Sequence, residues 1–526
     1  MKRKYPVGIE SFYDIRTGGY IYVDKTKYIY DLVDSGMYYS LSRPRRFGKS
    51  LLLSTMEEYF SGNRELFKGL AIDELDSEWK SYPVLRLNLN GSFTSDGELA
   101  ACLEHHLVRW EERWGLTKPE VSSFSTRFAS CIDAAYKQTG QKVVVLVDEY
   151  EQPITDTLDN PELNQKHRDM LRGFYSCLKP LNRYLKFVFM TGVSKIGKLS
   201  VFSSLNNIQD ISFRNDYCDI CGISESELDE YFREDIDMLA AKHHIESQAL
   251  KSQLRELYDG YHFSKESVGV YNPFSLLYTF DSRELGHYWF ASGTPTLLVN
   301  LIHDYSLSLE SVFDGYVATQ HELDYIDSIR QSPIALMYQT GYLTIQSYDR
   351  ASDSYTLVFP NREVEEGFML FLKQYYWPRT YDRSLPFEAT RFVSDLNSGN
   401  ISGFIERLSS FLSSCPYDIV LDREKHFQNV LFILCRLCGL SVHAEYRTSS
   451  GRIDMLIETA SHRYVFEFKI DQSAQVAMAQ IHSKEYALPF ASDDKKTTLI
   501  GINLSTKTRT IDDYRVESLE NSQEVL

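Results

Sequence analysis

Near its N-terminus the chain reads Arg-Pro-Arg-Arg-Phe-Gly-Lys-Ser over residues 43–50. Residues 37–42, just before this stretch, favour a short strand, and apolar residues recur at helical spacing over residues 49–60. A strand, a loop ending in Gly-Lys-Ser and a helix follow the order of a phosphate-binding loop, since the free N–H groups at a helix N-terminus bind anions. Arg43 stands where such loops usually carry their first glycine, so the stretch departs from the common pattern.

A second stretch supports a nucleotide site. Residues 143–149 read Val-Val-Val-Leu-Val-Asp-Glu, a run of aliphatic residues that ends in two carboxylates. A continuous apolar run is typical of a strand buried on both faces of a parallel sheet. Further strands are predicted at residues 83–89 and 185–192, with helices between the strands. This alternation predicts an α/β domain over residues 1–220.

The two stretches together assign roles in ATP chemistry. Lys49 would reach the β- and γ-phosphates, and the Ser50 hydroxyl would hold Mg²⁺. Asp148 would bind the same ion through water, and Glu149 would polarise the attacking water. Thr191 is a candidate sensor of the γ-phosphate, with a polar strand end as the alternative. The residues predicted to bind ATP and its ion are Arg45, Arg46, Phe47, Gly48, Lys49, Ser50, Asp148 and Thr191.

A third stretch, near the C-terminus, is typical of nuclease chemistry. The chain reads Gly-Arg-Ile-Asp over residues 451–454 and Glu-Phe-Lys over residues 467–469. Residues two apart on a strand share a face, so Glu467 and Lys469 would point the same way. If the two strands pair as a hairpin, Asp454 joins them. Asp454 and Glu467 would supply hard oxygen ligands for Mg²⁺, and Lys469 would orient the attacking water.

The surroundings of this third stretch indicate a compact α/β unit over residues 421–526. Glu424, on a predicted helix before the strands, is a candidate additional acid of the catalytic site. Gln480, on a predicted helix after them, is a candidate substrate contact. The alternative interpretation is a solvent-facing strand that carries alternate charges.

Length and composition limit the class of protein. At 526 residues the chain is too long for a single core, and ~150 residues per domain predicts three or four domains. No apolar run approaches the ~20 residues needed to span a bilayer, and no secretory signal is evident, so we expect no membrane association. The eight cysteines are sparse and favour a reducing cytoplasm. The pairs Cys218/Cys221 and Cys435/Cys438 are interpreted as small core residues rather than a shared zinc site.

The charge distribution bears on nucleic-acid binding. The net charge is −17, which argues against indiscriminate coating of nucleic acid. Residues 1–50 hold ten Lys or Arg and five Asp or Glu, a charge of +5, which leaves −22 for the remainder. A nucleic-acid substrate would therefore have to meet local basic patches. A solvated surface is the alternative interpretation of the basic N-terminal segment.

Motifs over nearly the whole chain resemble one family of bacterial proteins. That family joins an AAA-type ATPase-like domain to a C-terminal nuclease domain of the PD-(D/E)XK superfamily, and its phosphate loop typically lacks the first glycine. The segments that carry the resemblance are residues 22–26 (Tyr-Val-Asp-Lys-Thr), 42–50, 147–150 (Val-Asp-Glu-Tyr), 258–261 (Tyr-Asp-Gly-Tyr), 271–273 (Tyr-Asn-Pro), 451–454, 467–469 and 480–481 (Gln-Ile) with Tyr486.

The resemblance implies a fold and its cofactors. The expected fold class is α/β: an AAA-like P-loop NTPase with a parallel sheet, a helical lid, a winged-helix-like middle region and a C-terminal restriction-endonuclease-like domain. The expected domains are residues 1–223 for the ATPase, 224–310 for the lid, 311–420 for the helical or winged-helix-like connector and 421–526 for the nuclease. ATP and Mg²⁺ are the implied cofactors.

These expectations lead to a functional hypothesis. The sequence predicts an ATP-binding protein, expected to hydrolyse ATP, whose Mg²⁺-dependent nuclease domain cleaves nucleic acid under nucleotide control. DNA is favoured over RNA, and a homo-oligomer is an open possibility. One alternative is an NTP-controlled regulatory switch that binds nucleic acid without cutting it. Another is a scaffold ATPase that acts through oligomerisation.

Overall fold

The fold is taken from a computed structural model, which describes residues 3–117, 122–196, 201–202, 205, 207–289, 309–324, 333–376, 385–413, 423–490, 495–508 and 510–519. The chain divides into two compact units. The first comprises Met1–Gly293 and Val317–Glu365, and the second comprises Thr294–Tyr316 and Glu366–Leu526. The four-domain division expected from the sequence stays a prediction.

The strands of the described residues are numbered in chain order. They are β1 Tyr38–Ser42, β2 Val84–Asn88, β3 Val143–Asp148, β4 Leu185–Gly192, β5 Gln209–Asp210, β6 Ile223–Ser224, β7 Val270–Tyr271, β8 Tyr316–Thr319, β9 Thr344–Asp349, β10 Ser354–Val358, β11 Ser441–Arg447, β12 Arg452–Glu458, β13 His462–Ile470, β14 Lys496–Leu504 and β15 Ile511–Ser518.

The α-helices of the described residues are numbered in the same way. They are α1 Phe12–Gly18, α2 Thr26–Ser35, α3 Lys49–Phe60, α4 Ala71–Leu75, α5 Glu98–Arg113, α6 Phe124–Thr139, α7 Gln152–Thr155, α8 Pro161–Tyr175, α9 Glu225–Tyr231, α10 Arg233–His243, α11 Ser247–Tyr258, α12 Pro273–Ser282, α13 Leu309–Phe313, α14 Gln320–Asp324, α15 Pro333–Thr340, α16 Arg362–Tyr376, α17 Leu385–Ser398, α18 Ile401–Ser413, α19 Arg423–Leu437 and α20 Ala474–Ser483. Short 3₁₀ helices span Arg64–Phe67, Asn182–Tyr184, Asn215–Tyr217 and Leu488–Phe490.

A parallel five-stranded sheet lies at the centre of the first unit, in the order β2-β3-β4-β1-β5. Strand β3 is buried along its whole length, as its β-branched and aliphatic residues predict. Because the strands are parallel, their carboxyl ends meet at one edge of the sheet. The loop after β1, the acids after β3 and the end of β4 therefore come together there.

The rest of the first unit is largely helical. Helices α9 to α12 pack around a core that includes Leu228, Phe232 and Leu254. Helices α9 and α10 meet at Phe232, a residue with non-helical backbone angles. Strands β9 and β10 form an antiparallel hairpin, and β8 extends this sheet in the order β8-β10-β9.

The second unit contains a five-stranded mixed sheet in the sequential order β11 to β15. Neighbouring strands are antiparallel except β13 and β14, which are parallel and are connected through α20. Strand β15 was not expected from the sequence. The expected α/β fold class is confirmed: the first unit is built on a parallel sheet, and the second contains a mixed five-stranded sheet with helices.

The middle of the chain is only partly described. Residues 290–308 and 325–332 lie outside the described residues. The described part contains three short helices, α13 to α15, and the strand β8. None of the helices that the structure describes combines the length and the apolar character that crossing a bilayer requires.

Candidate functional site

The phosphate loop joins β1 to α3, and its last turn depends on a glycine. Gly48 precedes α3 with a φ of 92°, a left-handed conformation that glycine adopts without strain. Lys49, the first residue of α3, is 4% exposed. Its Nζ lies 3.2 Å from the carbonyl oxygen of Pro44 and 3.6 Å from Oε1 of Glu149. The structure therefore brings the predicted phosphate-binding lysine and the predicted catalytic glutamate together.

Asp148 is held in place by residues from both neighbouring strands. The hydroxyl of Thr191, on β4, donates to Asp148 Oδ1 at 2.7 Å. Arg86, on β2, places Nη2 3.8 Å from Asp148 Oδ2 and Nη1 2.9 Å from Glu57. Thr191 thus contacts the predicted magnesium ligand directly, and its role as a γ-phosphate sensor stays a prediction.

The oxygen atoms at this edge of the sheet suit a magnesium ion. Asp148 offers a carboxylate, and Ser50, in the first turn of α3, lines the adjoining cavity. Glu149 has a φ of 53°, and within the described part of the chain its Oε2 is buried without a hydrogen-bond partner. Mg²⁺ prefers such hard oxygen ligands and usually retains several waters. The residues present therefore fit the ion that the sequence predicts.

A cavity of about 490 Å³ opens beside the phosphate loop. This volume lies within the range of roughly 300–1,000 Å³ that is usual for small-molecule sites. Its polar lining includes Arg45, Arg46, Lys49, Ser50, Glu149 and Gln152. Its apolar lining includes Val7, Ile9, Pro273, Phe274 and Leu277. A cavity lined by both polar and apolar residues offers contacts for the phosphates and for the base of a nucleotide.

Two other loop residues have environments that the motif does not reveal. The Arg46 guanidinium stacks on the ring of Phe274 at 3.7 Å, and burial lowers the pKa of Arg46. Phe47 is buried, and its ring packs edge-on against Tyr261 at 4.7 Å and Phe263 at 5.5 Å. The backbone of Phe47 belongs to the loop, while its side chain anchors the loop in the core.

Arg43, which replaces the usual first glycine, is a buried structural residue. It is 1% exposed, and its guanidinium donates to the carbonyl oxygens of Ser212 and Tyr217, at 2.9 Å each. The same guanidinium lies over the ring of Phe263 at 4.1 Å. Hydrogen bonds to carbonyl oxygens satisfy a charge that would otherwise be costly to bury. Arg43 therefore fixes the start of the phosphate loop to the segment after β5.

Sequence reasoning missed two charged residues at this site. Glu10 lines the cavity, and burial followed by the nearby Asp148 carboxylate raises its pKa. Arg86 faces Asp148 from β2. A charged residue between two buried leucines, Leu85 and Leu87, was the available signal for Arg86. No local pattern marks Glu10.

A third missed residue, Glu151, follows Asp148 and Glu149 in the chain and is buried. Its Oε1 accepts hydrogen bonds from the N–H groups of Val193 at 2.5 Å and Ser194 at 3.1 Å. Burial, and then repulsion from Glu149, raises the pKa of Glu151 to about 8. A Cβ at Gly192 would lie 2.1 Å from Glu151 Oε2, so only glycine fits beside this carboxyl group. Glu151 therefore links the turn after β3 to the end of β4.

The predicted nuclease residues lie on β12 and β13. These strands pair in regular antiparallel register from Glu458↔Arg463 to Met455↔Phe466. Next to this last pair, Asp454 Oδ2 accepts a hydrogen bond from the backbone N–H of Phe468 at 2.8 Å. A carboxylate side chain thus bonds to β13 where the regular pairing ends.

Glu467 and Lys469, which flank Phe468, share a face of β13. Lys469 Nζ donates to Glu467 Oε1 at 2.7 Å, and Glu467 is fully buried. Ile453, Met455 and Ile457 on β12 are also fully buried, as period-two alternation predicts for the opposite face. The structure therefore brings Glu467 and Lys469 into direct contact and ties Asp454 to the residue between them.

The structure describes the side chain of only one of the two remaining candidate residues, Gln480 and Glu424. Gln480, on α20, places Nε2 3.5 Å from the hydroxyl of Tyr486, which donates to the carbonyl oxygen of Arg452 at 2.6 Å. Gln480 is thus connected through Tyr486 to the strand that carries Asp454. Glu424 lies in the first turn of α19, and its side chain is outside the described residues.

Comparison with known proteins places the chain in a family. Residues 6–202 match the family described as "Predicted AAA-ATPase", and residues 422–514 match the family described as "PD-(D/E)XK nuclease superfamily". The chain belongs to the family of bacterial proteins that join these two domains. The chain is similar to a protein of Azotobacter chroococcum mcd 1, described as an uncharacterized protein in the vnfD 5' region. It is 35% identical over 532 residues, which cover 98% of this chain and 99% of that protein.

Two solved structures show remote similarity. Cdc6p from Pyrobaculum aerophilum is 10% identical with a TM-score of 0.25, over 68% of this chain and 89% of that chain. The Aeropyrum pernix Orc1 protein in complex with DNA is 11% identical with a TM-score of 0.24, over 65% of this chain and 90% of that chain. These TM-scores are too low for either structure to bear on the fold or function of this protein.

Proposed function

We propose that the cavity beside the phosphate loop binds ATP with Mg²⁺ and hydrolyses it. The observation that carries the proposal is the meeting of Lys49, Asp148 and Glu149 at one edge of the parallel sheet. Lys49 has a carbonyl oxygen and a carboxylate as its nearby partners, and a phosphate would offer it stronger ones. The nucleotide would therefore draw the ammonium group away from Glu149.

The residues around the phosphates then have separate roles. Ser50 and Asp148 would hold the magnesium ion, which neutralises phosphate charge when bound. Thr191 keeps the Asp148 carboxylate in one orientation through its 2.7 Å hydrogen bond. Glu149, once released by Lys49, is free to accept a hydrogen bond from the attacking water.

We also propose that the second unit is a Mg²⁺-dependent nuclease. The contact between Lys469 and Glu467, with Asp454 bonded to Phe468 between them, supports this assignment. A strand face that only met solvent would leave its charged side chains exposed, whereas Glu467 is fully buried beside a lysine. Asp454 and Glu467 would hold the ion, which activates a water molecule when bound. Lys469 would orient that water and offset charge on the phosphate.

The proposed substrate is DNA, and the proposed location of the protein is the cytoplasm. The nucleotide bound to the first unit would control cleavage. The decisive experiment incubates the full-length protein with single- and double-stranded DNA and RNA, with Mg²⁺, and with or without ATP. We expect Mg²⁺-dependent release of DNA fragments that changes when ATP is added. Cleavage that is identical for the parent and an Asp454→Asn variant would contradict the nuclease assignment.

The same experiment tests the alternative regulatory switch. A protein that binds DNA with ATP-dependent affinity, but cuts nothing with Mg²⁺ or Mn²⁺, would be a switch rather than a nuclease. A change in molecular size with ATP, without DNA binding, would instead indicate a scaffold ATPase that acts through oligomerisation.

A further inference from the structure

A second group of metal-ligand side chains lies in the C-terminal unit. It consists of Glu310 on α13, Asp314 just after α13 and His443 on β11, and is called the Glu310 cluster below. His443 Nδ1 lies 3.6 Å from Glu310 Oε1 and 3.6 Å from Asp314 Oδ2. One ligand atom from each residue lies within 4.8 Å of the other two.

These separations suit a shared ion better than direct hydrogen bonds. A hydrogen bond from an imidazole N–H to an oxygen spans roughly 2.7–3.2 Å, so 3.6 Å is too long. Ligands bound tetrahedrally at roughly 2.0–2.2 Å from a metal ion lie about 3.3–3.6 Å from one another. His482 and Glu517, in the same unit, show the ordinary case, with 2.8 Å between Nε2 and the carboxylate.

A neighbouring cation orients one of the ligands. Arg436, on α19, donates from Nη2 to Asp314 Oδ1 at 2.9 Å, which leaves Oδ2 as the oxygen that faces His443. Outer hydrogen bonds of this kind commonly fix the orientation of metal ligands. The side chains of Glu310, Asp314 and His443 are 14%, 39% and 36% exposed, so an ion can enter from solvent.

The donor atoms of the Glu310 cluster indicate the kind of ion. They are two carboxylate oxygens and one imidazole nitrogen. An imidazole nitrogen with two carboxylate oxygens suits Zn²⁺ or Mn²⁺, whereas Mg²⁺ prefers oxygen ligands alone. The chemistry therefore separates this group from the Asp454 and Glu467 pair.

We propose that Glu310, Asp314 and His443 bind a divalent transition-metal ion such as Zn²⁺. The ion would join helix α13 to strand β11, and a water molecule would complete its coordination. His443 pairs with Leu456 of β12, whereas Asp454 lies two residues further along that strand. The ion would thus stabilise the edge strand β11, which pairs with the strand that carries Asp454.

The test uses the full-length protein, freed of metal with a chelator and titrated with ZnCl₂ while calorimetry and elemental analysis report affinity and stoichiometry. We expect the parent to bind one zinc ion. Its affinity for zinc should be at least about 100-fold lower in His443→Ala and in the shape-preserving variant Glu310→Gln. His482→Ala, which removes a histidine paired with one carboxylate, should keep the ion.

Two outcomes would overturn the proposal. One is equal zinc affinity and stoichiometry in the parent, His443→Ala and Glu310→Gln, which would place any bound zinc elsewhere, for example on free cysteines. The other is the absence of stoichiometric zinc in the parent at micromolar concentration. Asp454→Asn should retain the zinc ion, and the parent should retain it in excess Mg²⁺. These two controls distinguish a failure of the zinc proposal from a failure of the nuclease assignment. Circular dichroism of each variant shows whether it is folded.

Discussion

The two candidate catalytic sites are built in opposite ways. The nuclease site lies on two consecutive strands, and its three residues fall within residues 454–469. The nucleotide site gathers the loop at residues 43–50, Arg86, the acids after β3 and the end of β4 at one edge of a parallel sheet. The first depends on local strand periodicity, and the second depends on the order of the strands in the sheet.

The contacts that hold the two sites in place differ in the same way: those of the nuclease site are close in sequence, and those of the nucleotide site are distant. Lys469 contacts Glu467, two residues away, whereas Lys49 contacts Glu149, one hundred residues away. The phosphate loop is further fixed by buried Arg43 and Phe47, whose partners come from residues 212–263. A substitution in the core of the first unit should therefore affect its site more readily than a comparable substitution in the second unit.

The largest expected effect concerns the nuclease site. Glu467→Gln preserves shape but removes a proposed metal ligand, and Lys469→Ala removes the proposed water-orienting group. Because metal coordination supplies several kcal/mol of transition-state stabilisation, cleavage should fall about 10³-fold in Glu467→Gln. Initial rates of DNA cleavage with Mg²⁺ measure the change. The exposed Lys507→Ala should cut like the parent, and an equal loss in that control would indicate a general defect.

The next effect concerns the nucleotide site. Lys49→Ala removes the proposed phosphate contact, so ATP hydrolysis should fall at least about 100-fold. Phosphate release by the full-length protein measures the rate, and the exposed Lys27→Ala serves as the control. Cleavage of DNA by Lys49→Ala then sharpens the comparison. Unchanged cleavage, with or without ATP, would mean that the two sites act independently.

The third effect tests the distant supports of the phosphate loop. Arg43→Met removes a buried guanidinium and leaves the carbonyl oxygens of Ser212 and Tyr217 without this donor. The free energy of unfolding of the first unit should fall by about 3 kcal/mol. Urea unfolding measures the loss. Arg45→Met, at an exposed position two residues away, should change stability by less than about 0.5 kcal/mol, and equal losses in the two variants would contradict the assigned role.

The difference between local and distant contacts explains how much of the fold and of the two sites could be predicted from the sequence. The strand, loop and helix around residues 38–60, the acids at the end of β3 and the Asp454, Glu467 and Lys469 set follow from local patterns, and the structure has these elements. Glu10 and Glu151 have no motif, and the position of Arg86 between Leu85 and Leu87 does not reveal its partner, because these contacts depend on sheet order and on segments far away in the chain. Arg43 departs from the common loop pattern, and only the carbonyl oxygens of distant residues reveal its structural role.

A smaller effect, and one that depends on pH, is expected at Glu151. Its pKa is raised from an ordinary value of 4.5 to about 8, so between these values the native protein holds more protons than the unfolded chain. Stability conferred by the protonated carboxyl group is present below about pH 4.5 and is lost as the pH rises through about 8. Glu151→Gln keeps an oxygen for the N–H groups of Val193 and Ser194 but cannot ionise.

The variant should therefore gain stability over the parent as the pH rises from about 5.5 to 8, by roughly 1–3 kcal/mol. Thermal or urea unfolding at several pH values measures the gain, with the exposed Glu162→Gln as the control. A difference between parent and variant that does not change with pH would mean that Glu151 does not titrate in this range.

The smallest effect concerns the local support of the nuclease site. Tyr486→Phe removes the hydroxyl that donates to the Arg452 carbonyl oxygen at 2.6 Å and lies 3.5 Å from Gln480. The ring stays in its buried place, so the loss should be about 1 kcal/mol of stability, as for a single hydrogen bond. Because Asp454 is also held by its bond to Phe468, DNA cleavage should fall less than about 10-fold. A loss as large as that of Glu467→Gln would show that the nuclease site, too, depends on support from outside its own strands.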